Sequence, residues 1–318
     1  MNTSTLATAI AACAATCLLL AAPVWAQDGA AARKNQETIE KIRQSGAIIL
    51  SYRLANMPFT YLDSSFEPTG YAKELCDHVV DSIRREYDMP QLKIIYLPVV
   101  AKNRISALQN GAIDLECGSS TDNPERRKAV DFSITYFISN IRLLTRKDYR
   151  FVDLNSLRGK TVVVTTGTTA EKAVSKLNVA GRGIKVLYGR THSDSFLMVK
   201  SGRAYAYLMD DILLAGLISA SRDPNAYEIV GPSLSTERYA IMLRKEDARL
   251  KTIVNKTLAH LMSSGEAAKL YERWFMRPIP PSGIVINLPM SDELTQVFAH
   301  PTAASWDSIV PHTSISTP

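Results

Sequence analysis

The chain is 318 residues long and 46% hydrophobic, with 37 Lys and Arg against 31 Asp and Glu. That much apolar material builds a core and the length favours two domains, so wholesale disorder is excluded. The net charge of +6 is mild and unclustered, which disfavours a nucleic-acid partner and suits a small anion.

The first 26 residues carry no charged side chain, run apolar from Ala7 to Ala22 apart from two threonines, and close on Pro23-Val-Trp-Ala26. This is the pattern of a secretory leader cleaved after Ala26, although its start lacks the usual positive charge. Beyond it no run of about eighteen apolar residues occurs, so the mature chain, expected in the periplasm, should not span a membrane. Cys13 and Cys17 leave with the leader. Cys76 and Cys117 remain, readable either as one disulfide of an exported protein or as two small buried thiols.

After a polar linker, residues 38–45 read as a short helix stopped by Gly46, and 47–52 as a strand. A loop runs through Gly70. Leu75, Val79 and Ile83, widened by Cys76 and Val80, then give a helix with one apolar face. Residues 92–99 are a strand, Ile105 and Leu108 mark a helix ending at Gly111, and 112–117 is a further strand. The rhythm restarts with a strand at 161–165, a helix from Gly167, a strand at 184–188, a helix at 194–201, a strand at 204–209 and a helix at 211–217. Two short strands, 229–232 and 240–243, precede a helix at 251–263 and a helical turn at 271–275. Alternation of this kind implies an α/β fold with βαβ units, mostly parallel sheets and a ligand crevice at the strands' carboxyl ends. Residues 301–318 are too poor in apolar side chains to pack and are expected to be a disordered tail.

Between the strand at 112–117 and the next apolar segment lies Glu116-Cys-Gly-Ser-Ser-Thr-Asp-Asn-Pro-Glu-Arg-Arg-Lys128. Ser119, Ser120 and Thr121 leave a strand end, and Arg126 and Arg127 follow. Hydroxyl donors beside a guanidinium suit a carboxylate, which Arg can hold bidentately. Read alone, the stretch is more readily a helix cap with surface arginines. Gly167-Thr-Thr169 opens a helix after a second strand, where free backbone N–H groups attract anions. It lacks the Lys of a phosphate-binding loop. His192, Asp210, Arg53 and Arg104 also lie at element ends, and each has an ordinary reading as a cap or solvated charge. Together they describe a cleft for a small acidic zwitterion.

From about residue 37 to 294 the sequence resembles the periplasmic glutamate/aspartate-binding proteins of ABC transporters, solute-binding protein family 3. The runs that carry the resemblance include Lys102-Asn-Arg-Ile105, Leu108-Gln-Asn-Gly111, Asp114-Leu-Glu-Cys-Gly-Ser119, His192-Ser-Asp-Ser-Phe196, Met209-Asp-Asp211 and Leu213-Leu-Ala-Gly216. The resemblance implies a two-lobed periplasmic-binding-protein fold of type II, with helices on both faces of its sheets. Lobe one would comprise 38–144 plus 240–300 and lobe two 145–239, joined by two hinge strands near 143–146 and 238–242. It implies that Arg126 clamps an α-carboxylate with Thr121 beside it, and that Ser119 and Asp210 hold the α-ammonium. Arg53, Arg104, Thr169 and His192 would gather round the side-chain carboxylate. One position departs: where the family has serine, two residues before Asn103-Arg104, this chain has Ala101.

The implied role is capture, followed by hinge closure and docking of a monomer on a membrane ABC permease. No cofactor or metal is expected, because the five histidines show no metal-ligand spacing. No catalytic residue is assigned. Two other classes remain in view: an exported enzyme on the same fold, such as a cyclohexadienyl dehydratase or a cell-wall lyase, and a sensory amino-acid receptor.

Overall fold

The computed structural model describes residues 37–281 and 283–302. The expected leader and all but the first two residues of the expected tail lie outside them.

Helix α1 (Thr38–Ser45) leads into strand β1 (Ala47–Tyr52). The segment read as a loop folds into a small antiparallel sheet of β2 (Ala55–Asn56), β3 (Thr60–Leu62) and β4 (Pro68–Thr69). These strands are too short to show a period of two. Helix α2 (Tyr71–Glu86) buries the apolar stripe read from sequence, with Leu75, Cys76, Val79, Val80 and Ile83 all inside the core. Next come β5 (Lys93–Pro98), α3 (Arg104–Gln109), β6 (Leu115–Glu116) and β7 (Val130–Phe132).

Strand β8 (Phe137–Arg146) enters the second half, followed by β9 (Thr161–Thr165), α4 (Ala170–Val179), β10 (Lys185–Gly189), α5 (His192–Lys200), β11 (Ala206–Asp210) and α6 (Asp211–Ser219). The chain then returns through β12 (Tyr227–Val230), β13 (Thr236–Tyr239) and β14 (Met242–Arg244). Helices α7 (Ala248–Ser263), α8 (Glu266–Tyr271) and α9 (Asp292–Ala299) complete it. The last was not anticipated, although Ser291 caps it and Leu294 and Phe298 pack beneath it.

The first sheet has the order β5-β1-β6-β14-β7 and the second β10-β9-β11-β8-β12. In each, three strands run parallel, as the βαβ rhythm requires. Antiparallel strands complete each sheet: β14 and β7 in the first, β8 and β12 in the second. Mostly parallel sheets therefore describe the cores and not the far edges. The reason is that the chain crosses between the sheets and comes back. Strand β14 is the returning strand, and it sits in the first sheet between β6 and β7.

The crossing lies earlier in the chain than expected. Residues 143–146 belong to the second sheet, where Leu143 faces Leu208 and Val230. The antiparallel crossing pair is Phe137–Asn140 with Thr236–Tyr239, so the expected boundary at 144/145 falls inside β8. One ten-residue strand serves both as connector and as sheet member, and nothing in its composition marks where one use ends. Beneath the crossing, Phe137 stacks on Tyr239 and Phe275, and Phe59 meets all three rings edge-on or tilted. Such pairs each contribute about 0.5–1.5 kcal/mol beyond area burial.

The cysteine question closes in favour of a bond: Cys76 of α2 and Cys117 just after β6 form a disulfide, with Cα atoms 6.3 Å apart. It anchors the residue that precedes Gly118-Ser-Ser-Thr121.

Candidate functional site

Where β6 ends, the chain passes through Gly118. A Cβ there would lie 2.8 Å from Glu116 Oε1 and 3.1 Å from Arg53 Nη2, so the missing side chain makes room for both. The three hydroxyls that follow each take a different partner. Ser119 Oγ accepts from Arg53 Nη2 at 2.5 Å and donates to Asn56 at 2.8 Å. Ser120 Oγ accepts from Arg104 Nε at 2.8 Å. Thr121 Oγ1 donates to Glu237 Oε2 at 2.7 Å. None of these three hydroxyls caps the short 3₁₀ turn Arg126–Lys128 that follows; Asn123 does, its Oδ1 accepting from the Arg126 N–H at 2.9 Å.

Arg126 reaches back with Nη1 to the Thr121 carbonyl at 2.9 Å and across to the Gly167 carbonyl with Nη2 at 3.4 Å. Arg104, 2% exposed, uses Nη1 on the carbonyls of Ala101 and Gly167. One carbonyl from the second half thus receives two guanidiniums from the first. Gly167 has φ +85°, and a Cβ on it would lie 2.7–2.8 Å from the Lys102 Cα and the Ala101 carbonyl. Only glycine permits this approach.

On the second half, Thr169 Oγ1 donates to Glu237 Oε2 at 2.8 Å. It therefore shares its acceptor with Thr121. His192 opens α5, and its Nδ1 is 3.1 Å from the Thr165 hydroxyl and 3.0 Å from that of Tyr207, so Nε2 is the ring nitrogen left for a ligand. Burial, and secondarily Arg53 and Arg104, push its pKa down to about 3, so the ring is neutral at pH 7. Asp210 ends β11 and caps nothing with its side chain. Its Oδ2 accepts from the Tyr239 hydroxyl at 2.5 Å, while buried Oδ1 has no partner among the described residues. Burial first, then Glu237, push its carboxyl up to about 8.

Two carboxylates escaped the sequence reading. Glu237, 3% exposed, lies on β13 with Oε1 accepting from Ser235 at 2.6 Å. Its signal was parity: it shares a strand face with buried Tyr239, where an apolar residue is the norm. Glu116 is fully buried, 3.8 Å from Arg53 Nε, with neither oxygen hydrogen-bonded among the described residues. An acidic residue in the middle of Leu115-Glu-Cys117 was the available clue.

Three guanidiniums from the first half are thus packed against two hydroxyl-bearing turns. Burial holds the pKa of both Arg104 and Arg126 below the ordinary arginine value. Arg126 and Arg53 lower Arg104 further, whereas Glu237 and Asp210 partly offset the fall at Arg126. Mutual repulsion of that kind is what an anionic ligand relieves. Beside them, a cavity of about 130 Å³ runs between Arg53 and Ala101 on one side and His192 and Arg190 on the other. Among the described residues no helix is long and apolar enough to cross a membrane, and no cluster of His, Cys, Asp and Glu is placed to hold a metal.

Residues 48–277 match the bacterial extracellular solute-binding proteins, family 3. The chain is 40% identical over 301 residues to the L-glutamate/L-aspartate-binding protein of Pseudomonas aeruginosa, covering 94% of this chain and 96% of that one. It is 40% identical over 277 residues to the glutamate/aspartate import solute-binding protein of Escherichia coli K12, covering 87% and 92%. Among solved structures it superposes with a TM-score of 0.64, at 26% identity, on an ancestral amino-acid-binding protein described as a precursor of cyclohexadienyl dehydratase, covering 75% of this chain and 99% of that one.

Proposed function

The chain belongs to the bacterial extracellular solute-binding proteins of family 3, and on that premise we propose that it captures L-glutamate or L-aspartate between its lobes and delivers it to a membrane ABC permease. The observation that carries the ligand class is the convergence of Arg53, Arg104 and Arg126 on serine and threonine hydroxyls in a site closed by Gly167.

Arg126 and Thr121 take the α-carboxylate, with Thr169 closing beside them from the second lobe. Ser119 and Asp210 take the α-ammonium. Arg53, Arg104 and neutral His192 face the side-chain carboxylate. Micromolar capture requires about 8 kcal/mol, and several charge-assisted hydrogen bonds at roughly 1.5–3 kcal/mol each supply it after desolvation and ordering. An amide side chain would leave guanidiniums buried and poorly paired, which costs several kcal/mol and disfavours glutamine and asparagine. The ligand is free to enter only if the lobes separate, so capture is a hinge motion about the crossing strands.

A thermal-shift panel of the twenty amino acids tests the ligand class. Glutamate and aspartate should raise the melting temperature and their amides should not; equal shifts for acids and amides would overturn the assignment. A second reading, an enzyme, has one observation in its favour: Asp210 is held as a neutral acid at pH 7. Turnover of prephenate or arogenate that vanishes in Asp210→Asn would establish it.

A further inference from the structure

The polar cluster and the neighbouring cavity do not coincide. Arg104, with its Nε on Ser120 and its Nη1 on two carbonyls, does not line the cavity. Arg53 and His192 do line it, so the space opens from the end of the site where a side-chain carboxylate would lie. Its walls are otherwise chiefly apolar, including Val99 and Ala101. The Ala101 backbone cannot move inward, because its carbonyl is bonded to Arg104 and packed against Gly167. Its side chain is only a methyl, so the space stays open.

At the other boundary stands Arg190, exposed, with no hydrogen bond or ion pair to any described residue. A cation without a counter-ion, facing an apolar passage that starts at a second cation, fits a chain of methylenes ending in a carboxylate.

Resting on the reading of the site as one for acidic amino acids, we infer that this cavity is an extension subsite for dicarboxylic amino acids longer than glutamate, with Arg190 reading the distal carboxylate. Glutamate fills the site as far as Arg53 and His192. A homologue with one more methylene passes Ala101 and meets Arg190.

The test is calorimetric titration of the full mature protein with L-glutamate and with its six-carbon homologue L-2-aminoadipate, using wild type, Arg190→Gln and Ala101→Leu. The homologue should bind wild type within about tenfold of glutamate. Arg190→Gln, at an exposed position, should weaken the homologue by about tenfold, the equivalent of about 1.4 kcal/mol, and leave glutamate within about twofold. Ala101→Leu should weaken the homologue more than glutamate. The inference is overturned if glutamate binds and the homologue does not, or if Arg190→Gln weakens both equally. Failure of every acidic amino acid to bind wild type is a different result, and it overturns the ligand class itself.

Discussion

Thr121 of the first lobe and Thr169 of the second donate to the same oxygen, Oε2 of Glu237, at 2.7 and 2.8 Å. A single side chain on the strand that crosses between the sheets therefore bonds to both lobes. Replacing Glu237 by Ala removes the shared acceptor and strands the buried hydroxyl of Thr121 and the half-buried one of Thr169. Chemical denaturation should show a loss of about 1–3 kcal/mol, and small-angle scattering of the ligand-free protein should show a larger radius of gyration. An unchanged radius would mean that Glu237 does not clasp the lobes.

Gly167 is a point of close approach. A methyl group there would collide with Lys102 and Ala101 across the cleft, on a backbone at φ +85° that itself resists a side chain. Strain of this order is worth about 1–3 kcal/mol. Gly167→Ala should therefore weaken glutamate binding by about tenfold or more in calorimetry. Its effect should fall on closure, so the interlobe distance measured by paired fluorophores should shorten less on ligand addition than in wild type.

Asp210 makes binding pH-dependent. Its carboxyl is pushed up to about 8 by burial and by Glu237, with Tyr239 and Arg126 acting in the opposite sense. In the free protein at pH 7 it is mostly protonated, and an ammonium beside it favours the ionised form, so binding releases a proton. The dissociation constant should fall by up to about tenfold per unit between pH 6 and 8 and level off above. Because the folded-state value lies above the ordinary 3.8, this group's effect on the ligand-free fold has the opposite trend: stability declines as pH rises from 3.8 towards 8. Asp210→Asn should flatten both profiles. A dissociation constant that does not vary with pH in wild type would contradict the assignment of Asp210 to the ammonium.

The disulfide joins α2 to the turn that carries Ser119, Ser120 and Thr121. With a sequence separation of 41 residues, loop closure predicts about 4 kcal/mol of stabilisation. Cys76→Ser with Cys117→Ser should lower the denaturation free energy accordingly and weaken glutamate binding, read by denaturant titration and calorimetry. Unaltered affinity in the double variant would show that the turn is held by its hydrogen bonds alone.

Long periodic elements were legible in the sequence because packing and period coincide: the stripe Leu75, Val79, Ile83 is the buried face of α2. The strands β2, β3 and β4 were not legible, since two or three residues cannot display alternation. The crossing was misplaced because β8 keeps one composition while changing partners from β13 to β11 and β12. At the site, residues at strand ends could be named from position and chemistry. What sequence could not give was pairing: that Ser120 faces Arg104, or that Thr121 and Thr169 share one acceptor, depends on two turns far apart in the chain. Glu116 and Glu237 were passed over for a related reason. A lone acid in a strand looks like a solvated residue until the strand's other face is known to be covered.

The central claim is that an anionic amino acid is held by buried guanidiniums, with Arg126 on its α-carboxylate. Isothermal titration of wild type and Arg126→Ala with L-glutamate tests this most directly. Wild type should bind in the micromolar range, about 8 kcal/mol, and the variant should lose about a hundredfold or more while remaining folded by circular dichroism. A folded Arg126→Ala that binds L-glutamate as tightly as wild type would contradict the account.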